Sequence, residues 1–302
     1  MEKILVIGSS GFLGHNVGEY LSKEPYFEVY RTSRDELQPN PRSYYMDLSD
    51  VASINSVINE VGPSVVINCA GIVGTVDDTE INALFTSNLL ESLATAAKPV
   101  KRIIISGSAA EYGYVKQEDL PIGEMTKLAA SQGYGLSKVK EEMRALDLAE
   151  AYKLPVVVAR IFNPIGPGMG EKFLVSSVLR QINSIVEGKK DSVEVSRLDS
   201  YRDYIAVEDV ARAFKKIVLG VPRHNIYNIG SGEATSNKEL IESIIRSTVI
   251  DKSIKLVETS DIVEPLVASK ADIGRMQSDF DWVPTVPLKE AINRITRKEN
   301  DK

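Results

Sequence analysis
The chain has 302 residues, 43% of them hydrophobic and 26% charged, which suits a folded protein of one large domain or two that share a cleft. Its formal net charge is -6, with acidic and basic residues mixed and no long basic run, which argues against nucleic acid as the main partner. A single cysteine, Cys69, excludes an internal disulfide, and the two histidines, His15 and His224, form no metal-ligand cluster.

The start, MEKILVIGSSGFLG, is apolar only briefly and lacks the long core and cleavage site of a signal peptide, so a cytoplasmic location is expected. The β-branched run at 4–7 predicts a strand, and GSSGFLG follows it at the opening of a helix that carries Phe12, Leu13, Val17, Tyr20 and Leu21. Glycines at 8, 11 and 14 permit a tight turn and let a pyrophosphate approach the backbone N–H groups of a helix N-terminus, with Ser10, Phe12 and Leu13 beside it. The alternative is a turn that only packs. In FEVYRTSRDE, Thr32 is placed at the tip of the second strand, with Arg31 before it and Ser33 and Arg34 after it. Arginine there accommodates the extra phosphate of NADP(H), whereas a carboxylate accepts from the free ribose of NAD(H). NADP(H) is favoured, and a shift of one residue would bring Asp35 or Glu36 closer and favour NAD(H).

Further β-branched runs at 65–68, 102–106 and 156–160 each precede a helical candidate. That alternation predicts a Rossmann-like, doubly wound α/β fold, because parallel strands need crossover connections. In GYGLSKVKEE, Tyr134 and Lys138 are four apart and would share one face of a helix. A phenol titrates near 10, and bringing it to 7 takes about 4 kcal/mol of preferential stabilisation of the phenolate. A neighbouring ammonium supplies part of that, although an ordinary surface pair has the same spacing. Tyr112 and Lys116 repeat the separation, but Gly113 and Pro121 predict a loop there. Beyond Tyr134, Val139, Met143, Leu146 and Ala149 or Ala151 predict the buried face, with Lys140, Glu141, Glu142 and Arg144 opposite.

After 161 the regularity breaks in a loop containing Asn163, Pro164, Gly166, Pro167, Gly168 and Gly170. Helices are expected at 172–187, 207–219 and 236–248, and strands near 193–198, 201–205 and 225–229. The organisation expected is a dinucleotide-binding domain of residues 1–160 with returning segments near 201–229. A smaller α/β substrate lobe of residues 161–200 and 230–302 would cover the carboxyl ends of the strands, where ligands bind. Trp282 is assigned to core packing.

With GSSGFLG, NCAG at 68–71, GSAAEYG at 107–113, YGLSK at 134–138 and RIFNPIGPG at 160–168, the chain resembles an extended short-chain dehydrogenase/reductase. SYRDYIAVEDVARAF at 200–214 and YNIGSG at 227–232 are similar to the nucleotide-sugar epimerase, dehydratase and reductase branch. The resemblance implies a catalytic set of Ser108, Tyr134 and Lys138. Tyr134 would give a proton to a carbonyl oxygen that Ser108 holds, and Lys138 would stabilise the phenolate. It also implies that Asp47 and Leu48 meet the adenine, that Cys69, Ala70 and Gly71 line the cofactor, and that Asn82 supports the active-site backbone. Asn163 would contact substrate and Arg202 its diphosphate, with Asp203 free to pair with another cation.

Dehydratases of this family place an acid pair directly after the catalytic hydroxyl residue, and here Ala109 and Ala110 stand there. Methyl groups move no proton, so 4,6-dehydration is rejected unless Glu111 turns inward. Glu111 is expected to contact sugar hydroxyls, the alternatives being a loop carboxylate or a structural hydrogen bond. FNPIGPGM and VSRLDSYRDYI most resemble reductases of 4-keto-6-deoxy sugar nucleotides of the GDP-6-deoxy-mannose and deoxytalose type. An NADPH-dependent 4-ketoreductase is therefore expected first, an NAD-dependent 4-epimerase second, and a noncatalytic NAD(P)-binding sensor as the alternative of another class. Glu264 departs from the family, which often has an arginine there. A homodimer is expected through helices near 79–97 and 133–152, with Leu84, Leu89, Leu90 and Leu93 supplying either its apolar face or packing on the sheet.

Overall fold
The β-branched runs form the centre of one parallel sheet in the computed structural model, which describes residues 1–35, 40–73, 79–248, 254–259 and 268–300, the side chains of 297–300 excepted. The first half alternates strand and helix: β1 (Glu2–Ile7), α1 (Phe12–Leu21), β2 (Phe27–Ser33), β3 (Ser43–Tyr45), α2 (Val51–Val61), β4 (Val65–Asn68), α3 (Ile81–Ala94), β5 (Arg102–Ser108), α4 (Gly133–Tyr152) and β6 (Val156–Ile161). The second half contains β7 (Pro164–Ile165), α5 (Leu174–Val186), β8 (Ser192–Val195), β9 (Tyr201–Arg202), β10 (Ile205–Ala206), α6 (Val207–Leu219), β11 (Ile226–Ile229), β12 (Thr235–Ser236), α7 (Asn237–Ser247), β13 (Lys255–Glu258), α8 (Gly274–Phe280) and α9 (Leu288–Asn300).

Seven strands in the order β11-β6-β5-β4-β1-β2-β3 make the sheet, and every pairing in it is parallel. This is the doubly wound fold expected. Alternation along β1 explains the two layers: Ile4 and Val6 join Val17, Leu21 and Phe214 on one face, while Leu5 and Ile7 join Ile54, Leu89 and Leu93 on the other. The strand order reverses between β1 and β4, so their carboxyl ends open a crevice beneath the glycine turn.

A third apolar cluster, with Val178, Ile182, Leu240, Ile244 and Ile292, gathers α5, α7 and α9. The segment after 230 does not stay with it. Met276 and Phe280 of α8, and Trp282 beyond, pack in the core beside β11 and α6, so the chain crosses the boundary expected at 230. Three other expectations need correction. The strand near 193–198 stops at Val195, and the stretch 201–205 is divided between β9 and β10. On α4 the expected Ala149 is buried, but the same face carries Ser137, Lys138, Glu141, Glu142 and Ala145, and Met143 is 59% exposed.

Buried cations explain that inversion. Arg160 of β6 donates from Nε to Glu142 Oε2 at 2.7 Å and from Nη1 to Tyr112 Oη at 2.9 Å, and Tyr112 Oη donates to Asn228 Oδ1 at 2.6 Å. Two charges can leave water together when each satisfies the other's hydrogen bonds, and removing one strands its partner. Replacing Glu142 with Ala is accordingly expected to destabilise the protein by about 3–5 kcal/mol in equilibrium urea unfolding.

Candidate active site
The glycine turn is built by contacts that leave no room for side chains. Gly8 adopts φ +74, and a Cβ on it would lie 2.7 Å from the backbone of Ala70. A Cβ on Gly14 would lie 2.3 Å from the Gly8 carbonyl oxygen. These approaches seat the start of α1 against the turn after β4. The N-cap of α1 is Gly11, which offers no side-chain cap, so the first N–H groups face the crevice. The backbone cradle suits a dinucleotide's pyrophosphate, with Ser10, Phe12 and Leu13 around its rim and Cys69, Ala70 and Gly71 across it. Ser106 Oγ donates to Cys69 Sγ at 3.6 Å, and burial pushes the thiol up to about 12.

At the rim β2 runs to Ser33, one residue beyond the expected tip. Ser33 Oγ donates to Ser10 Oγ at 2.8 Å, and Ser10 Oγ donates to Asp35 Oδ2 at 3.1 Å. Asp35 therefore stands at the glycine turn, with Arg34 exposed beside it. Arg31 has a different occupation from the one expected: it turns back onto α1, donating from Nη1 to Glu19 at 2.7 Å and from Nη2 to Ser22 Oγ at 3.1 Å. Its guanidinium lies over Gly18, where a Cβ would come 3.2 Å from Nε. Asp47 accepts from Ser49 N and Oγ, each at 2.8 Å, and those bonds, with a smaller contribution from Arg34, lower its carboxyl. The Leu48 side chain is core, and its carbonyl accepts from Asn88 at 2.8 Å.

Along the crevice β5 and α4 bring Ser108, Tyr134 and Lys138 together. The Ser108 hydroxyl lies near enough to the Tyr134 phenol to lower it. Burial raises that phenol above its ordinary value of 10, although Lys138 and Ser108 pull it down, and Glu141 and Glu111 add to the rise. Lys138 Nζ donates to the Ser106 carbonyl at 2.6 Å and forms an ion pair with Glu141. Burial works against its charge, but Glu141, Tyr134 and Glu111 together raise the ammonium above its usual range. Asn82 Oδ1 accepts from Ile72 N at 2.8 Å and its Nδ2 donates to Ser137 Oγ at 3.0 Å, tying the turn after β4 to α4.

The expectation that Glu111 touches sugar hydroxyls is corrected. Glu111 is 0% exposed and lies behind the serine, where Oε1 accepts from Ser108 N at 2.6 Å. In return, Ser108 Oγ accepts from Ala110 N at 3.2 Å, which closes a capping box around the short 3-10 turn Ala109–Tyr112. Its other oxygen is 3.5 Å from Arg160 Nε. Burial and then Glu142 raise the Glu111 carboxyl well above the usual range, favouring its neutral form.

On the substrate side, Asn163 Nδ2 donates to the Asp203 carbonyl at 2.9 Å. Asp203 does not pair with a cation: its carboxylate accepts from Ser231 N and Oγ at 2.6 and 2.7 Å, and from Gly232 N and Ala271 N at 2.9 Å each. Neighbouring Arg202 has no carboxylate partner among the described residues, and burial lowers its guanidinium. Glu264 and Glu36 lie outside the described residues. Sequence reasoning missed Glu141 as a partner of Lys138. The signal was present, because residues three apart on a helix are neighbours just as those four apart are.

The NAD dependent epimerase/dehydratase family matches residues 4–230. The chain is 28% identical to GDP-6-deoxy-D-mannose reductase of Pseudomonas aeruginosa, covering 97% of this chain and 96% of that protein. It is 27% identical to UDP-arabinose 4-epimerase 1 of Arabidopsis thaliana, covering 97% of this chain and 78% of the relative. Among solved structures, RMD from Pseudomonas aeruginosa complexed with NADPH superposes with a TM-score of 0.87 at 26% identity, covering 100% of this chain and 99% of the other.

The glycine cradle generates a direct expectation. Replacing Gly14 with Ala forces the turn open and weakens NADPH and NADH binding alike by about tenfold or more, each tenfold being about 1.4 kcal/mol, in a fluorescence titration.

Proposed function
Because this chain belongs to the NAD-dependent epimerase/dehydratase family of NAD(P)-dependent reductases and epimerases, we propose that it reduces the 4-keto group of a 4-keto-6-deoxyhexose sugar nucleotide with NADPH. The observation that carries this reading is the rim of β2, where the exposed Arg34 stands next to the hydrogen-bonded Ser10 and Ser33 hydroxyls, a cation suited to a 2′-phosphate. The catalytic hydroxyl is followed by Ala109 and Ala110, and Glu111 is turned away beneath it, so none of these three positions offers an acid to a sugar for elimination of water.

Bound NADPH supplies the hydride. Tyr134 Oη gives its proton to the carbonyl oxygen, Ser108 Oγ holds that oxygen, and the charge left on the phenol faces the Lys138 ammonium. Arg202 is assigned to the substrate diphosphate, which gives its guanidinium the anion it lacks among the described residues. Asn163 helps to hold the sugar from the loop after β6, its amide fixed by Asp203. The raised phenol stays protonated through neutral pH, so reduction is retained there and lost on the alkaline side as Tyr134 ionises.

A second reading rests on Asp35. Its carboxylate, held at the glycine turn by Ser10, suits the free ribose of NAD, and an NAD-dependent 4-epimerase would use it. Cofactor titration separates the two. For a reductase, Arg34→Ala weakens NADPH about tenfold or more while leaving NADH nearly unchanged. NAD retained through purification, with no preference for NADPH, moves the epimerase ahead.

The self-association surface we assign is the exposed face of α3 and α4, where Leu84 and Met143 border a groove of about 500 Å³ with Ala83 and Ser87. Leu89, Leu90 and Leu93 pack on the sheet instead. A dimeric mass by light scattering is expected, and replacing Leu84 and Met143 with Glu should reduce it to the monomer. Tyr134→Phe is expected to lower turnover of the keto sugar by about a hundredfold to ten-thousandfold while NADPH binding persists.

A further inference from the structure
Glu141 and Glu142 stand three and four residues after Lys138 on α4, and the nearer one has no place in the family motif that marks the site. Glu141 is 2% exposed and pairs with Lys138, itself 4% exposed. Thr86 of α3 donates to the other Glu141 oxygen at 2.8 Å, so the carboxylate is held from both sides. We propose that Glu141 is a positioning residue that fixes the Lys138 ammonium against the Ser106 carbonyl and withholds part of its charge from Tyr134, keeping the phenol a proton donor.

An ammonium has three N–H donors. Two are directed to the Ser106 carbonyl and Glu141, which leaves one for the side of Tyr134 and the crevice. Burial makes the arrangement consequential, because charges shielded from water interact strongly and salt screens them little. The titratable groups facing this pair come from several elements. α4 contributes Tyr134 and Glu141; the turn after β5 contributes Glu111; the turn after β4 contributes the neutral Cys69 thiol. Glu142, one residue on, is taken up by Arg160 of β6.

Tyr134 thus sees one cation and the carboxyl groups of Glu141 and Glu111. Burial holds the proton on Tyr134 most strongly, Lys138 draws the phenol toward the phenolate, and Glu141 offsets part of that pull. With Glu141 in place the proton stays on Tyr134 until hydride reaches the carbonyl carbon. The proton then passes to the carbonyl oxygen, the ketone is reduced to the alcohol, and NADPH is oxidised to NADP. This inference rests on the ketoreductase reading for its catalytic consequence, but the state of the phenol is measurable without substrate.

The test is the ultraviolet titration of tyrosinate in Glu141→Gln, with the Tyr134→Phe background subtracted to isolate one phenol among the twelve tyrosines. Gln keeps an oxygen toward Thr86 and removes the charge. The expected result is a fall of about one pH unit in the Tyr134 titration, the size usual for a charge within hydrogen-bonding range. The alkaline limb of ketone reduction should move down by the same amount. An unshifted or rising titration in folded Glu141→Gln overturns the proposal, whatever the rate does. A falling titration with no turnover of any 4-keto sugar nucleotide upholds Glu141 and removes the reductase reading. Should Glu141→Gln not fold, the wild-type enzyme decides: Tyr134, read by carbon NMR of labelled tyrosine, must titrate above the ordinary value of about 10, and titration below it overturns the proposal.

Discussion
Buried charge on α4 is the constraint on which the rest of the site depends. Lys138 and Glu142 point inward from successive turns, and neither can be left unpaired away from water. The first is matched on its own helix by Glu141, which α3 holds through Thr86; the second is matched by Arg160 at the end of β6. One helix is thereby fixed to a neighbouring helix and to the sheet by bonds with narrow geometric tolerance. Tyr134, one turn before Lys138, inherits its position from both. Glu111 completes the arrangement, because favouring the neutral form lets its carboxyl sit between Arg160 and the Ser108 backbone without adding a full charge beside Glu142. Ser108 is placed by the same network that places Tyr134.

The fold was largely legible because its signals are local. Short β-branched runs alternating with amphipathic helices dictate a parallel sheet, and the glycines at 8, 11 and 14 mark the strand-to-helix turn at its switch point. Contacts between distant segments were not legible. The rule that carboxylates stay in water placed Glu141 and Glu142 on the solvent face of α4, and only their cations, one of them on β6, reverse it. Arg31 looked like a phosphate ligand from its place in β2, but the alternation of a strand sends its side chain under α1 to Glu19, while Arg34 beyond the strand remains exposed. Glu111 leaves open in sequence a sugar contact, a loop carboxylate or a structural hydrogen bond, and the capping box with Ser108 decides for the last. Met276, Phe280 and Trp282 return to the sheet from the far end of the chain, which no periodicity announces.

The two sides of the crevice are joined by a different device. Asp203 satisfies its buried carboxylate with donors from Ser231, Gly232 and Ala271, binding three separated segments around one point. Gly230 must be glycine for this, since a Cβ there would come 2.8 Å from Asp203 Oδ2 and 2.5 Å from the Ala271 side chain. The carbonyl of Asp203 also fixes the Asn163 amide. Having its needs met by N–H and O–H donors, Asp203 leaves adjacent Arg202 without neutralisation among the described residues. A half-buried guanidinium without a counter-ion there is poorly solvated and strongly attractive to an anion.

Cofactor choice is decided where these positional arguments meet opposing charges. β2 extends one residue further than its sequence pattern implies, and that single step brings Asp35 to Ser10 while Arg34 stays on the outer rim. A 2′-phosphate approaching the rim would be drawn by Arg34 and the two serine hydroxyls and repelled by Asp35, whereas a free ribose hydroxyl would find in Asp35 an acceptor already aimed at the turn. Asp35 is exposed and held to the turn through the Ser10 hydroxyl, so rotating it away costs little compared with moving a buried carboxylate. Arg34 is exposed too and can follow a phosphate, where cation and anion are both charged, whereas a bond from a ribose hydroxyl to Asp35 has only one charged partner. On the proposed ketoreductase reading, the phosphorylated cofactor takes this rim by displacing the Asp35 carboxylate from the Ser10 hydroxyl.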